Sequence, residues 1–309
     1  MQASYRTFLE YSPQANEVRP GMYLGGWQAY DAKPFTHVLT VMDDPGLQYP
    51  PTLKAHLVIP LEDTPSSNLL DHFPDGIEFI RSALAEKGML FVHCAAGVSR
   101  SATMISAYLM ATEGLTVEQA IASIRQARPI IHPNSGFLMQ LQLFHEMGCK
   151  LDPQYEGYRL HKMEKLGEQW WKQKSVETDS LAQVSEAPDL QVARYRCRKC
   201  RRLLATEKNS IRLTTGAEDS GGGAEASEDE QEASLFVEPM QWMTELSSGE
   251  VSGKLYCPHC KGRLGSYSWS GIQSSKRTWI TPGFQLHLSR LDVENSKDAP
   301  KVVLSKPRF

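Results

Sequence analysis

Nowhere in the 309 residues does an apolar run approach the roughly 20 residues that a bilayer-spanning helix requires. The N-terminus, Met1-Gln2-Ala3-Ser4-Tyr5-Arg6, lacks the basic start and apolar middle of a signal peptide. An excess of one charge is missing too: 33 Lys and Arg face 36 Asp and Glu, for a formal net charge of −3. The chain as a whole therefore advertises neither nucleic-acid nor membrane binding. Cysteine is scarce, at six residues, so the position of each one is informative. What is present is an ordinary globular hydrophobic fraction and enough length for one or two cores.

One stretch carries chemistry: His93-Cys94-Ala95-Ala96-Gly97-Val98-Ser99-Arg100-Ser101. It follows the apolar run Met89 to Val92, which reads as a buried strand, and precedes Ala102 to Met110, which reads as a helix. A cysteine, five residues and an arginine at a strand-to-helix turn make a cradle for a tetrahedral dianion. Loop N–H groups converge on the anion, and the helix N-terminus adds the positive end of its dipole. The same groups favour a thiolate at Cys94. Arg100 supplies a planar fork of donors matching two phosphoryl oxygens. The pattern points to a cysteine nucleophile acting on phosphate, and a catalytic thiolate requires a reducing, hence intracellular, compartment.

His93-Cys94-x5-Arg100-Ser101 resembles the signature of cysteine-dependent protein phosphatases, and the details are similar to the dual-specificity subgroup. Arg19-Pro20-Gly21-Met22-Tyr23-Leu24-Gly25-Gly26, Thr36 to Val41, Ala107 to Met110 and Pro133-Asn134-Ser135-Gly136-Phe137 carry the likeness, roughly from residue 16 to 150. The resemblance implies that Cys94 attacks phosphorus to form a phosphocysteine, with Ala95, Ala96, Gly97, Val98, Ser99 and Arg100 holding the phosphoryl oxygens. Ser101 would stabilise the departing thiolate, His93 would orient the loop, and Asn134 resembles the residue that braces the loop from outside. A general acid must come from a separate loop. Asp43, Asp44, Glu62, Asp63 and Asp71 are the candidates; Asp63 is preferred because Leu61 to Leu69 resembles the family's acid loop, and Glu62 is the alternative.

Alternation of types suggests an α/β fold, a central sheet flanked by helices. Val18 to Leu24, Val38 to Val41, His56 to Ile59 and Met89 to Val92 read as strands. Asp71 to Glu86, Ser101 to Glu113, Val117 to Ala127 and Ser135 to Met147 read as helices, with Thr116 and Gln119 forming a capping-box pattern. Residues 151–190 read as a helical extension and linker, in which Trp170 and Trp171 pack against a neighbouring domain. A small, mostly β, zinc-binding domain follows over 191–291, with an acidic insertion near 217–233 and a tail over 292–309 that composition marks as disordered and mobile.

The second domain is inferred from cysteine spacing. Cys197-Arg198-Lys199-Cys200 and Cys257-Pro258-His259-Cys260 are two C-x2-C pairs, the ligand set of a tetrahedral zinc site. The intervening residues 201–256 make a longer loop than a zinc ribbon usually has, but the extra closure entropy is only about 1 kcal/mol. Structural zinc supplies roughly 10–16 kcal/mol in small peptides. One structural Zn2+ is expected, with none needed for catalysis. Relatives carry further cysteines where this chain has Ile272-Gln273-Ser274-Ser275-Lys276, so a second zinc is not expected and His287 reads as a surface or packing residue. Cys149 reads as a structural thiol.

Three function classes remain open. The first is a phosphatase for phosphotyrosine and phosphoserine/threonine; the loop between Cys94 and Arg100 holds no lysine, which favours phosphoproteins over polyanionic inositol lipids. The second is a binding module, since Arg194, Arg196, Arg198, Lys199, Arg201 and Arg202 form a basic run suited to RNA or an acidic protein. Here the resemblance implies a role in assembly of the large ribosomal subunit, with the protein in cytoplasm and nucleus. The third is a redox sensor using Cys94.

Overall fold

The computed structural model describes residues 14–43, 46, 49, 51, 53–184, 192–211, 234–275 and 277–294. The acidic insertion near 217–233, the tail after Glu294 and Asp44 lie outside the described residues. The chain divides into two compact units, Met1–Tyr155 and Glu156–Phe309.

The first unit is built on five strands: β1 (Asn16–Arg19), β2 (Met22–Gly26), β3 (His37–Val41), β4 (Ala55–Ile59) and β5 (Leu90–Cys94). Their order is β1-β2-β5-β3-β4, with β2, β5, β3 and β4 mutually parallel and β1 antiparallel at the edge. Every residue of β2, β3 and β5 is buried, as expected of parallel strands covered on both faces. The run Val18 to Leu24, expected as one strand, is instead a hairpin. Pro20 cannot donate to a ladder and Gly21 turns the chain at φ +79°.

Four helices follow: α1 (Phe73–Ala85), α2 (Arg100–Glu113), α3 (Val117–Ala127) and α4 (Ser135–Glu146). Thr116 closes a capping box with Gln119 at the start of α3, and Gly114 ends α2 in the left-handed conformation. Helix α2 is buried along most of its length, which is why its sequence reads as nearly continuous small and apolar residues. It leaves the C-terminal end of β5, where open α/β sheets place their ligands.

The second unit opens with α5 (Glu156–Gln173) and continues through nine strands: β6 (Arg194–Cys197), β7 (Leu203–Thr206), β8 (Ser234–Phe236), β9 (Ser252–Tyr256), β10 (Arg263–Ser268), β11 (Ile272–Gln273), β12 (Trp279–Ile280), β13 (Gly283–His287) and β14 (Leu291–Glu294). They form sheets ordered β14-β6-β7, β8-β13-β10-β9 and β11-β12, so this unit is mostly β, as expected. Helix α5 was expected as an extension and linker; it is instead part of this unit's core. Met163, Leu166 and Trp170 join the cluster around Leu204, Trp269 and Phe284, and the Trp170 and Trp269 rings stack at 5.1 Å. Trp171 differs from the expectation: it is 47% exposed and carries Lys174 Nζ 4.1 Å above its ring. Asp292, Val293 and Glu294, expected to open the mobile tail, instead pair with β6.

Candidate active site

Cys94 is the last residue of β5 and is 1% exposed. Its neighbour in register on β2 is Gly26, so the thiol sits where two glycines, Gly25 and Gly26, let the phosphate loop come close. Gly97 has φ +67°, and a Cβ there would lie 2.3–2.4 Å from the Gly25 carbonyl. Only glycine fits at that position. Ser101 Oγ donates to Cys94 Sγ at 3.2 Å from the first turn of α2. A hydroxyl donor at that distance stabilises sulfur charge, and the helix terminus adds to it.

Arg100 is buried. Its Nη1 donates to the Leu61 carbonyl at 2.7 Å and its Nε lies 3.5 Å from Asp63 Oδ2. That Nε has no hydrogen-bond partner. Asp63 pairs with it as an ion without a formed hydrogen bond, so the buried donor keeps hydrogen-bonding capacity that an anionic ligand could take. Asp63 stands on the opposite loop, its Oδ1 accepting from Ser99 Oγ at 2.7 Å and Asn134 Nδ2 at 2.9 Å. Among the described candidate acids it is the one bonded to the phosphate loop. Asp71 accepts from Asn68 Nδ2 at 2.9 Å; Asp43 and Glu62 are exposed, as is Asp63, so its bonds to Ser99 and Asn134 and not burial distinguish it.

Asn134 reaches the loop in more ways than bracing it. Its N–H donates to Ser99 Oγ at 3.2 Å, its Nδ2 holds Asp63, and its Oδ1 caps α4 through the Phe137 N–H. One residue thus joins the phosphate loop through its backbone N–H, and the Asp63 loop and a helix end through its side chain. His93 stacks on Phe91, and its Nε2 meets Thr40 Oγ1 at 2.8 Å and Tyr49 Oη at 3.3 Å. Burial pushes its pKa down to about 4, with the Cys94 carbonyl opposing. The ring is therefore neutral near pH 7 and serves as a hydrogen-bonding support beneath the loop. Ala95 and Ala96 are half-buried, Val98 is likewise, and Ser99 is buried.

Arg128, just past the end of α3, escaped the sequence reading. It is buried, and donates through Nε to the Gly97 carbonyl at 2.8 Å and through Nη2 to the Ala96 carbonyl at 2.9 Å. Nη1 donates to Asn16 Oδ1 at 2.7 Å and the Gln14 carbonyl at 3.2 Å. A cation after a helix C-terminus ordinarily reads as a dipole partner, so nothing in Arg125-Gln126-Ala127-Arg128 set this one apart.

In the second unit Cys197, Cys200, Cys257 and Cys260 bring their four Sγ atoms within 4.8 Å of one another. Sγ separations of 3.7 Å for Cys197–Cys260 and 3.5 Å for Cys200–Cys257 are close to the roughly 3.8 Å edge of a ZnS4 tetrahedron with 2.3 Å bonds. The two pairs share one turn geometry. Arg201 and Lys261, each next after its second cysteine, take φ +65° and +57°. Cys197 N–H bonds the Arg202 carbonyl, as Cys257 N–H bonds that of Gly262. The Gly262 N–H lowers the Cys260 thiol to about 7, whereas burial pushes Cys257 up to about 12 when no metal is counted. The cluster fits a metal such as zinc, and among the described residues it is the one such cluster. His287 lies on β13 outside it.

The basic run beside the first pair is largely occupied. Arg196 pairs with Glu294 at 2.8 Å, Arg201 with Asp292 at 2.6 Å and Glu294 at 2.7 Å, and Arg198 lies 3.7 Å from Asp292. Among the described residues, no helix is long and apolar enough to cross a membrane.

The profile "Dual specificity phosphatase, catalytic domain" matches residues 22–147, which hold every element of the site around Cys94. Over its length the chain is 35% identical to human "Dual specificity protein phosphatase 12", with 90% of this chain and 88% of that protein covered. The same-named mouse protein is 36% identical over 90% and 88% of the two chains. "Tyrosine-protein phosphatase yvh1" of Schizosaccharomyces pombe is 30% identical, covering 90% of this chain and 84% of its own. These likenesses run through both units, and with the cysteine, arginine and acid loop gathered at the end of β5 the chain belongs to the dual-specificity protein phosphatase family.

Proposed function

We propose that the chain hydrolyses phosphotyrosine and phosphoserine/threonine in protein substrates through a phosphocysteine intermediate. The observation that carries this reading is the 3.2 Å hydrogen bond from Ser101 Oγ to Cys94 Sγ at the floor of the phosphate loop. In the first step the Cys94 thiolate attacks phosphorus in line. The S–P bond forms as the P–O ester bond breaks, and Asp63 gives its proton to the leaving oxygen. Loop N–H groups and Arg100 hold the non-bridging oxygens, the Arg100 Nε exchanging its 3.5 Å ion pair with Asp63 for a hydrogen bond to phosphate. In the second step Asp63 takes a proton from water, water attacks phosphorus, and Ser101 donates to the departing thiolate. Cys94→Ser removes the nucleophile, and hydrolysis of an aryl phosphate is expected to fall below detection; a tenth of the wild-type rate remaining would refute the assignment.

The four cysteines of the second unit fit a single structural zinc, whose four coordination positions their deprotonated sulfurs would fill, closing the site to substrate. A non-catalytic role in assembling the large ribosomal subunit is the alternative reading. It draws on a cationic run whose Arg196 and Arg201 already meet Asp292 and Glu294, so the phosphatase reading is the better supported.

A further inference from the structure

The phosphate loop is held from behind by the short segment from Arg128 to His132 and by the first turn of α2. Arg128 takes the Ala96 and Gly97 carbonyls, and the His132 N–H takes the Val98 carbonyl at 2.9 Å. Thr103, through both its N–H at 2.9 Å and its Oγ1 at 2.8 Å, takes the Ser99 carbonyl. Four consecutive carbonyls therefore point away from the cradle. In a trans peptide the C=O and the following N–H are antiparallel. Holding those four carbonyls outward turns the N–H groups of Gly97, Val98, Ser99 and Arg100 the other way, to the side of Cys94.

Two of the four carbonyls are held by a full positive charge. None of the ion pairs among the described residues includes Arg128, which donates to three carbonyls and an amide oxygen. An uncompensated buried cation is costly unless an anion lies nearby. The anion available here is across the loop: the Cys94 thiolate, or the phosphoryl group it attacks. Burial lowers the proton affinity of the guanidinium, and the charge at Cys94 opposes that lowering. Coupling of this kind is reciprocal, so the cation that the thiolate favours also favours the thiolate.

We propose that Arg128 is a positioning residue of the phosphate cradle, which aims the Gly97 and Val98 N–H groups at the phosphoryl oxygens and stabilises the Cys94 thiolate through the loop. This rests on the phosphatase reading and extends it to a residue that does not touch the substrate. The fork matters as well as the charge, since Nε and Nη2 span two adjacent carbonyls that one ammonium cannot bridge.

The test uses the full chain with Arg128→Met and Arg128→Lys. The first readout is the pH dependence of Cys94 alkylation by iodoacetate, followed on the peptide containing Cys94; the second is orthovanadate affinity. The titratable and charged groups around that thiol are His93 on β5, Arg100 on α2, Asp63 on the acid loop and Arg128 behind the phosphate loop. Arg128→Met is expected to raise the alkylation midpoint by about one pH unit and weaken vanadate binding about tenfold. Arg128→Lys is expected to restore the midpoint but not the vanadate affinity. A folded Arg128→Met chain with wild-type values for both would overturn the proposal. Should that variant not fold, Arg128→Lys decides: wild-type vanadate affinity there overturns it equally. Neither readout needs turnover, so a wild-type chain that failed to hydrolyse an aryl phosphate would count against the activity and leave the positioning test standing.

Discussion

At the scale of single residues the site is a set of short ties between the loop from Cys94 to Arg100 and the loop that carries Asp63. Asp63 is held by Ser99, which belongs to the phosphate loop, and by Asn134, which caps α4. Removing its proton while keeping its shape separates the acid's chemistry from its role as a tie. Asp63→Asn is expected to lower kcat by about 10²–10⁴-fold and to change the pH–rate profile, since the variant has no carboxyl proton to give. An unchanged profile would transfer the role to Glu62. His93 gives a second expectation. Its pKa is about 4 in the fold against 6.5 for the free side chain, so between those values the unfolded chain takes up the extra proton. Stability should be constant with respect to this group above pH 6.5 and fall as pH drops toward 4, by up to roughly 3 kcal/mol. Urea midpoints at pH 5 and 7.5 for wild type and His93→Gln measure it; an equal loss in both would show that other groups govern the acid limb.

At the scale of elements, what was legible in the sequence was whatever one segment decides for itself. The strand before Cys94, the helix after it and the capping box at Thr116 all follow from local pattern. The hairpin within Val18 to Leu24 was hidden because Pro20-Gly21 sits in an otherwise β-like run, and the turn residue was read as part of the strand. Arg128 was hidden for a different reason. Its acceptors are backbone carbonyls far away in sequence, and carbonyls have no sequence signature. Helix α5 shows the same limit. Its Trp170 is fully buried against Trp269 while the adjacent Trp171 is exposed, a distinction set by which face meets a sheet formed about 100 residues later. Trp170→Ala should therefore cost about 3–5 kcal/mol and melt the second unit selectively. Retention of its calorimetric transition would mean that the stacked pair contributes little, and aryl phosphate hydrolysis by the first unit is expected to continue.

At the scale of the whole molecule, two compact units divide the labour, with every assigned catalytic residue in the first and the cysteine cluster in the second. One zinc per chain is expected by elemental analysis. Chelation should unfold the second unit, because binding a structural zinc contributes on the order of 10 kcal/mol to folding. Hydrolysis should persist, and loss of activity in step with loss of metal would show the units to be coupled. The near-zero net charge is also organised: the acidic end of the second unit, Asp292 and Glu294, is laid against the arginines around the first cysteine pair. Charge reversal at Arg201 is thus expected first to weaken that pairing.

The β14-β6-β7 sheet joins strands of the second unit that are far apart in sequence, since Leu291 lies opposite Cys197. During synthesis the first cysteine pair leaves the ribosome well before the second, by a gap that at 5–20 residues per second lasts roughly 3–12 s. The strand that covers Cys197 arrives later still. For that interval the two thiols of the first pair stand on the nascent chain without the two partners that complete a metal site, open to oxidation or to capture by a competing ion. The first unit, whose last strand ends at its own nucleophile, is complete by then. A cell short of zinc should therefore accumulate chains that are born able to cleave phosphate and unable to finish folding.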